Sequence, residues 1–225
     1  SLHVTIHAEY FCWELLFELE SLLAWCTNRI EISSIFINSS NELFSKGHNP
    51  MYLKKMGPEK IKQFTKKLQT INYALTCLPQ SIICDLGKGA NNIAVEFAMA
   101  CDMRISNSDC SINLDHTQLG LVPSSGGIST LAKLVGSTHA KNWIMGGTSI
   151  DNTCLVSCGF TFKTYTSNTK SEIIQQLLEN ILKQSNVARI QTKLGLSEIN
   201  REHIEKFNKF ESKLSNAALI SEDWK

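Results

Sequence analysis

Glu96 is the residue of this chain whose neighbours best suit it to moving a proton. It follows Ile93-Ala94-Val95 and precedes Phe97-Ala98-Met99-Ala100-Cys101, so a helix through this run buries the carboxyl group among apolar side chains. Burial disfavours the charged form of a carboxyl group, the condition that a general acid or base near neutral pH requires. A glutamate in the first turn of a helix also suits the helix dipole, a structural role that needs no chemistry. Other candidate centres are weaker. The turn Gly87-Lys88-Gly89 lacks P-loop spacing and the Ser or Thr that follows the lysine, which argues against triphosphate binding. Ser124 and Ser125 have no base beside them in sequence, so a serine-hydrolase reading has little support. The cysteines at 12, 26, 77, 84, 101, 110, 154 and 158 make no metal spacing with histidine. Cys154 and Cys158 read as buried small hydrophobes on a helical stretch, and no metal is expected.

The elements that must position Glu96 follow from hydrophobic period. His3 to His7 alternates like a strand, and Ile32 to Ile37 is a buried one rich in β-branched residues. Between them Cys12, Leu15, Leu16, Leu19, Leu22, Leu23 and Cys26 share one helix face. Pro58-Glu59 begins a second helix with the stripe Ile61, Phe64, Leu68, Ile71, Leu75 and Leu78. Ile82-Ile83-Cys84 is a strand, the next helix opens near Asn92 and stops at Cys101-Asp102, and Met103-Arg104-Ile105 is again a strand. Leu131 to Met145 reads as helical, Asp151 caps a short helix that ends at Gly159, and the stripes Ile174 to Leu182 and Ile204 to Leu214 are two more. Strand and helix alternate, which predicts an α/β architecture with right-handed crossovers.

The 225 residues suit one domain, or one domain with a helical appendage. Lysine plus arginine number 22 and aspartate plus glutamate 21, so no global field points to nucleic acid or an anionic membrane. No apolar run is long enough to span a bilayer, and the N-terminus has no signal-peptide layout. A reduced, cytoplasmic setting is expected from the cysteine usage.

The segment from Leu78 to Gly127 gathers these signals in a specific order: a strand, a small-residue turn, a helix bearing Glu96, then AMACDMRI and GLVPSSGG. In that order and separation it resembles the crotonase superfamily, the enoyl-CoA hydratases and isomerases. LVGSTHAKNWIMGGTSID is similar to a later family segment, so the resemblance runs over nearly the whole chain from His3, with the first strand or two shortened or missing. It implies repeated ββα units in a spiral core, here residues 1–165, and a C-terminal helical trimerisation region, residues 166–225, giving a homotrimer or hexamer.

The resemblance also implies chemistry. The family stabilises an enolate of an acyl-CoA or acyl-carrier-protein thioester, with coenzyme A as part of the substrate and no separate cofactor. Two backbone N–H groups face the thioester oxygen, and losing one such donor costs about a hundred- to a thousand-fold in rate. FSKGHN matches the family's FSAGAD, which makes His48 N one donor and puts Asn49 where relatives carry aspartate. Ile93 N is the other. Relatives have three glycines where this chain has Asn92-Ile93-Ala94, and a β-branched Ile93 is expected to crowd the approach. Glu96 takes the place of the first catalytic glutamate and His116, in LDHTQLG, that of the second. Histidine can deliver or shuttle a proton near neutral pH, and it can also neutralise Glu96 by pairing with it. Asp115, its neighbour on a strand-like segment, points the other way. Lys46 and Gly47, with Lys54 and Lys55, flank the thioester loop, and the lysines are either phosphate contacts or solvated surface charges. Hydration or isomerisation of an enoyl thioester leads; decarboxylation, thioester hydrolysis, and a silent acyl-CoA-binding or assembly role stay open.

Overall fold

The computed structural model describes residues 1–221 and 223–224. The first half runs β1 (Leu2–Ile6), α1 (Trp13–Cys26), β2 (Ser34–Ser39), α2 (Pro50–Cys77), β3 (Ser81–Asp85), β4 (Gly89–Asn91) and α3 (Ile93–Met99). The second runs β5 (Met103–Asn107), β6 (Ser111–Asn113), a 3-10 helix (Asp115–Leu119), α4 (Ser129–Val135), α5 (Ser137–Gly146), β7 (Ile150–Asp151), α6 (Asn152–Ser157), β8 (Lys163–Tyr165), α7 (Lys170–Leu182) and α8 (Asn186–Ser221).

A five-stranded sheet in the order β1-β2-β3-β5-β8 is parallel throughout, and a three-stranded sheet has the order β4-β6-β7. The inner strands β2, β3 and β5 hand the chain to the second sheet before a helix returns it, whereas β1 and β8 lead directly into α1 and α7. β3 passes through Gly87-Lys88-Gly89 into β4 and then α3. After β2, Leu43 and Ser45 bridge to Gly87 and Ala90 beside β4, and α2 follows. The expected ββα repeat is present.

The parallel sheet is covered on both faces, which explains strands that read as continuous apolar runs. Ile35, Ile37, Ile82 and Cys84 join the main core with Leu16, Leu19, Leu68, Ile71 and Phe97 from three helices. Phe36, Ile83, Ile105 and Tyr165 face the other way, against Leu177, Leu178 and Ile181 of α7. The charged residues of ACDMRI hold α3 in this frame. Arg104 Nη1 donates to the carbonyls of Cys101 (3.0 Å) and Ala98 (3.3 Å), and its Nε donates to that of Phe160 (2.6 Å). Asp102 Oδ2 accepts from Ile82 N at 2.7 Å and from Lys193 Nζ of α8 at 2.7 Å.

Several boundaries differ from the sequence reading. α2 starts at Pro50, because Asn49 Oδ1 accepts from Met51 N (3.0 Å) and Tyr52 N (3.2 Å) as an N-cap. A kink at Gly57, with φ 72° and ψ 161°, then precedes the expected restart at Pro58. The stretch from Leu131 to Met145 is two helices, broken at Gly136, whose φ of 83° does not continue a helix. The stripe from Ile204 to Leu214 belongs to α8, one helix of 36 residues that lies along α2. Ser197 Oγ donates to Thr76 O at 2.6 Å, and Gln69 Nε2 to Asn208 O at 3.2 Å and Ser212 Oγ at 3.0 Å. Cys154 and Cys158 are half-buried rather than buried.

Candidate active site

Two backbone amides converge at the start of α3. The loop after β2 runs over the second sheet, where Asn91 N donates to Ser45 O at 3.1 Å, and this sets Gly47-His48 beside Asn92-Ile93. His48 N and Ile93 N both donate to a single acceptor, Asn92 Oδ1, each at 2.8 Å. Asn92 Nδ2 donates to Asp115 Oδ1 at 3.0 Å, and Asn92 N to Asn113 O at 2.7 Å. Asn92 is buried and has φ 37° and ψ −113°, the one positive φ on a non-glycine residue among those described. Such a conformation costs about 1–3 kcal/mol and persists only where the surroundings over-determine it.

Glu96 sits one turn inside the helix, 1% exposed. Its Oε2 accepts from Ser125 N at 2.6 Å and from Ser125 Oγ. Its Oε1 lies 2.7 Å from His116 Nε2, and His116 is also 1% exposed. That contact is close but off the alignment of a hydrogen bond. Glu96 Oε1 and both ring nitrogens of His116 therefore keep unused bonding capacity. Gly127 makes the packing possible, since a Cβ there would fall 2.7 Å from Glu96 Oε1.

The expected pairing of Glu96 with His116 is thus present, but the backbone around it is not a strand. Asp115 and His116 open a 3-10 helix, so their side chains do not alternate across a pleat. Asp115 turns to Asn92 while His116 turns to Glu96. Ile93 also departs from expectation: its side chain packs in the main core, and the group that crowds the two amides is Asn92. The His48 ring is buried, its centroid 6.4 Å from that of His116 and 6.2 Å from that of Phe64. Burial, with a smaller contribution from His116, pushes its pKa down to about 3, so the ring is neutral at physiological pH.

The lysines are placed less tightly. Lys46 Nζ pairs with Glu9 Oε1, while Lys54 and Lys55 are exposed on the first turns of α2. Gly47 is buried, and its carbonyl accepts from Phe11 N at 2.9 Å.

Sequence reasoning missed three participants. Ser125 was set aside for lack of a base, yet it holds Glu96; the order Ser-Glu-His leaves no histidine beside the hydroxyl to activate it. Asn92 was read only as an absent glycine. Glu211 of α8 is fully buried and accepts from Gly126 N (2.8 Å), Ser129 N (2.9 Å) and Ser129 Oγ (2.8 Å). Burial raises its pKa, as does the charge of nearby Glu96. A cavity of about 730 Å³, lined by Met99, Cys101, Thr130, Leu134 and Lys193, opens at the other end of α3 and is not lined by Glu96 or His116.

The arrangement can bind a carbonyl oxygen between two amides and move one proton beside it. A probable enoyl-CoA hydratase of Bacillus subtilis is 28% identical over 151 residues, 65% of this chain and 58% of its own length. The human ethylmalonyl-CoA decarboxylase is 23% identical over 153 residues, 68% of this chain and 50% of its own. The chain thus spans about half to three fifths of the length of these curated relatives. Among solved structures, an enoyl-CoA hydratase from Bacillus halodurans superposes with a TM-score of 0.91 at 16% identity, covering 99% of this chain and 92% of that one. An enoyl-CoA hydratase from Mycobacterium avium subsp. paratuberculosis gives 0.87 at 17% identity, covering 99% and 88%. At such identities the likeness establishes the α/β crotonase fold. The sequence pattern of the enoyl-CoA hydratase/isomerase family matches residues 3–225, nearly the whole chain, and the chain belongs to that family.

Proposed function

We propose that the chain acts on an acyl-CoA or acyl-carrier thioester, with the thioester oxygen between His48 N and Ile93 N and the proton handled by Glu96 with His116. The observation that carries this reading is the convergence of the two amides on one oxygen position, 2.8 Å from each. Preorganised donors of this kind stabilise the charge that develops as a thioester becomes an enolate. Glu96 Oε1 takes the proton from the carbon next to the carbonyl, and His116, in contact with it, shares that proton and returns it to the enolate system.

Within the family's repertoire, reactions that move a single proton fit better than hydration. Hydration needs a water held between two groups, and at 2.7 Å Glu96 and His116 leave no room for one between them. Isomerisation of an enoyl thioester is therefore the leading reading. Decarboxylation is the second. It needs only one proton delivered to the enolate left by loss of carbon dioxide, and the human ethylmalonyl-CoA decarboxylase is among the relatives. Incubating an acyl-CoA with the protein in D2O and following deuterium at the carbon next to the carbonyl tests the common step. Exchange should occur, and Glu96→Gln should slow it at least about a hundred-fold, the low end for general acid–base catalysis. Absence of binding by calorimetry, at millimolar acyl-CoA and with an acyl-carrier-protein thioester alike, would overturn the reading.

A further inference from the structure

Asn92 stands in the middle of the proposed thioester site, and its contacts account for both ends of its carboxamide. Oδ1 takes both oxyanion-hole amides at 2.8 Å, and Nδ2 is tied to Asp115 Oδ1 at 3.0 Å. The oxygen also lies against the bare α-carbon of Gly47, in space that any Cβ at Gly47 would fill. Among the described residues no other group accepts from either amide. The oxygen sits where a ligand carbonyl would sit, supplied by the chain itself.

We infer that Asn92 is a specificity-determining residue: its carboxamide occupies the oxyanion hole as an internal substitute for a thioester carbonyl, and an acyl thioester binds there by exchange with it. This rests on the acyl-thioester reading above for its ligand, but not for its geometry. The chemistry of exchange is unequal in an informative way. Carboxamide and thioester oxygens are both neutral acceptors, and the amide is the stronger, because nitrogen donates electron density to its carbonyl better than sulfur does. A ground-state thioester therefore gains little by displacing Asn92. An oxygen that has taken on enolate charge makes the stronger, charge-assisted bonds and displaces it readily. The residue thus penalises simple thioesters and spares those whose carbonyl charges easily, such as thioesters conjugated to a double bond or bearing a second acidifying group on the same carbon. Two hydrogen bonds must be exchanged, so the penalty on ground-state binding is about ten- to a hundred-fold.

Asn92→Gly tests this. Glycine accepts a φ of 37° without strain, so the backbone that presents Ile93 N is retained. The first readout needs no ligand. Amide hydrogen exchange at His48 and Ile93 should be at least about tenfold faster in Asn92→Gly than in the native protein, as each amide loses its acceptor. The second compares free CoA, which has no thioester carbonyl, with butanoyl-CoA by calorimetry. CoA should bind both proteins alike, and butanoyl-CoA should bind the variant at least about tenfold tighter than the native protein. Equal amide exchange in the two proteins, or equal butanoyl-CoA affinity where CoA binds both, would overturn the inference. If exchange differs as expected while neither ligand binds either protein, Asn92 does fill the hole and it is the acyl-CoA reading that fails. Should the glycine variant not fold, Asp115→Ala frees Nδ2 and leaves the backbone of Asn92 untouched. With Nδ2 released the carboxamide is easier to displace, so butanoyl-CoA should bind tighter than to the native protein while CoA binds alike, and equal butanoyl-CoA affinity where CoA binds both would overturn the inference equally.

Discussion

His48 carries its ring beneath Phe64 and beside His116, 8% exposed, and the consequence is thermodynamic as well as catalytic. Folding moves the ring's pKa from 6.5 to about 3, chiefly because burial penalises the imidazolium and secondarily because His116 is near. The unfolded chain therefore takes up this proton first as pH falls. The stability that His48 contributes is complete above about pH 6.5 and is lost progressively as pH falls toward 3. Its largest slope is about 1.4 kcal/mol per pH unit. Urea unfolding at pH 7, 6, 5 and 4 should show this decline, and His48→Gln, which keeps a polar side chain but cannot titrate, should have the shallower dependence. Identical slopes would mean that the ring takes up its proton equally in the folded and unfolded chain, so that burial beside His116 does not depress its pKa. His48 N, the donor to the hole, is a backbone group and is present in either variant.

Glu96 of α3 is held by the loop that leads into α4, and Glu211 of α8 locks that loop from the other side. α4 has no side-chain cap of its own, and Glu211 supplies one from 85 residues beyond Gly126 in sequence, with Ser129 N and Oγ on its other oxygen. Glu211→Ala should remove the acceptor of several buried donors at once, and should lower stability by about 3 kcal/mol in a denaturant titration. It should also slow deuterium exchange at the carbon next to the thioester carbonyl, because Ser125, which holds Glu96, precedes Gly126 directly. A loss below about 0.5 kcal/mol, the usual scale of a surface change, would mean that water replaces the carboxylate without cost. How far such elements were legible in the sequence follows from how local their signals are. α1, α3, β3 and β5 announce themselves by period within a dozen residues, and the pair AMACDMRI with GLVPSSGG fixes the approach of Glu96 to the Gly126-Gly127 loop. The role of Glu211 has no local signature, since a glutamate in a polar-faced helix reads as solvated. The 3-10 turn at Asp115 also escaped, because a short extended run and a 3-10 turn share the same residues, and only the hydrogen bond from Asn92 to Asp115 and the contact of His116 with Glu96 decide between them. Asn92 itself was visible as a departure from glycine. That its carboxamide would turn inward to the amides depends on a rotamer, which no spacing encodes.

At the scale of the molecule the two faces of the parallel sheet are satisfied within the chain, while α8 is not satisfied all round. Its inward positions, Glu211, Ser215 and Leu219 among them, are buried against α2 and α4. An adjacent stripe made of Leu196, Ile199, His203, Phe207, Phe210 and Leu214 advances by three and four residues, the period of a helix seam. Leu196, Ile199 and Phe210 are exposed, His203, Phe207 and Leu214 are half-buried, and the ring centroids of His203 and Phe207 lie 4.4 Å apart, the rings tilted by 38°, along the same stripe. No helix among the described residues is long and apolar enough to cross a membrane, so a bilayer-spanning helix does not account for this surface. A contiguous apolar stripe of this length is unusual on a monomer and is covered most simply by further copies of the chain. We expect a trimer or a dimer of trimers with α8 at the subunit contacts. Light scattering at micromolar concentration should give three or six times the 25.2 kDa chain mass. Phe210→Glu with Ile199→Glu should shift that mass toward the monomer, since two charges in an apolar seam cannot be buried without partners. Native protein that stays monomeric at that concentration would remove the reason for the stripe proposed here. A double variant that assembles as well as the native chain would place the contact on another face. In either case the Glu96 site should keep its geometry, because every contact described for it comes from a single chain.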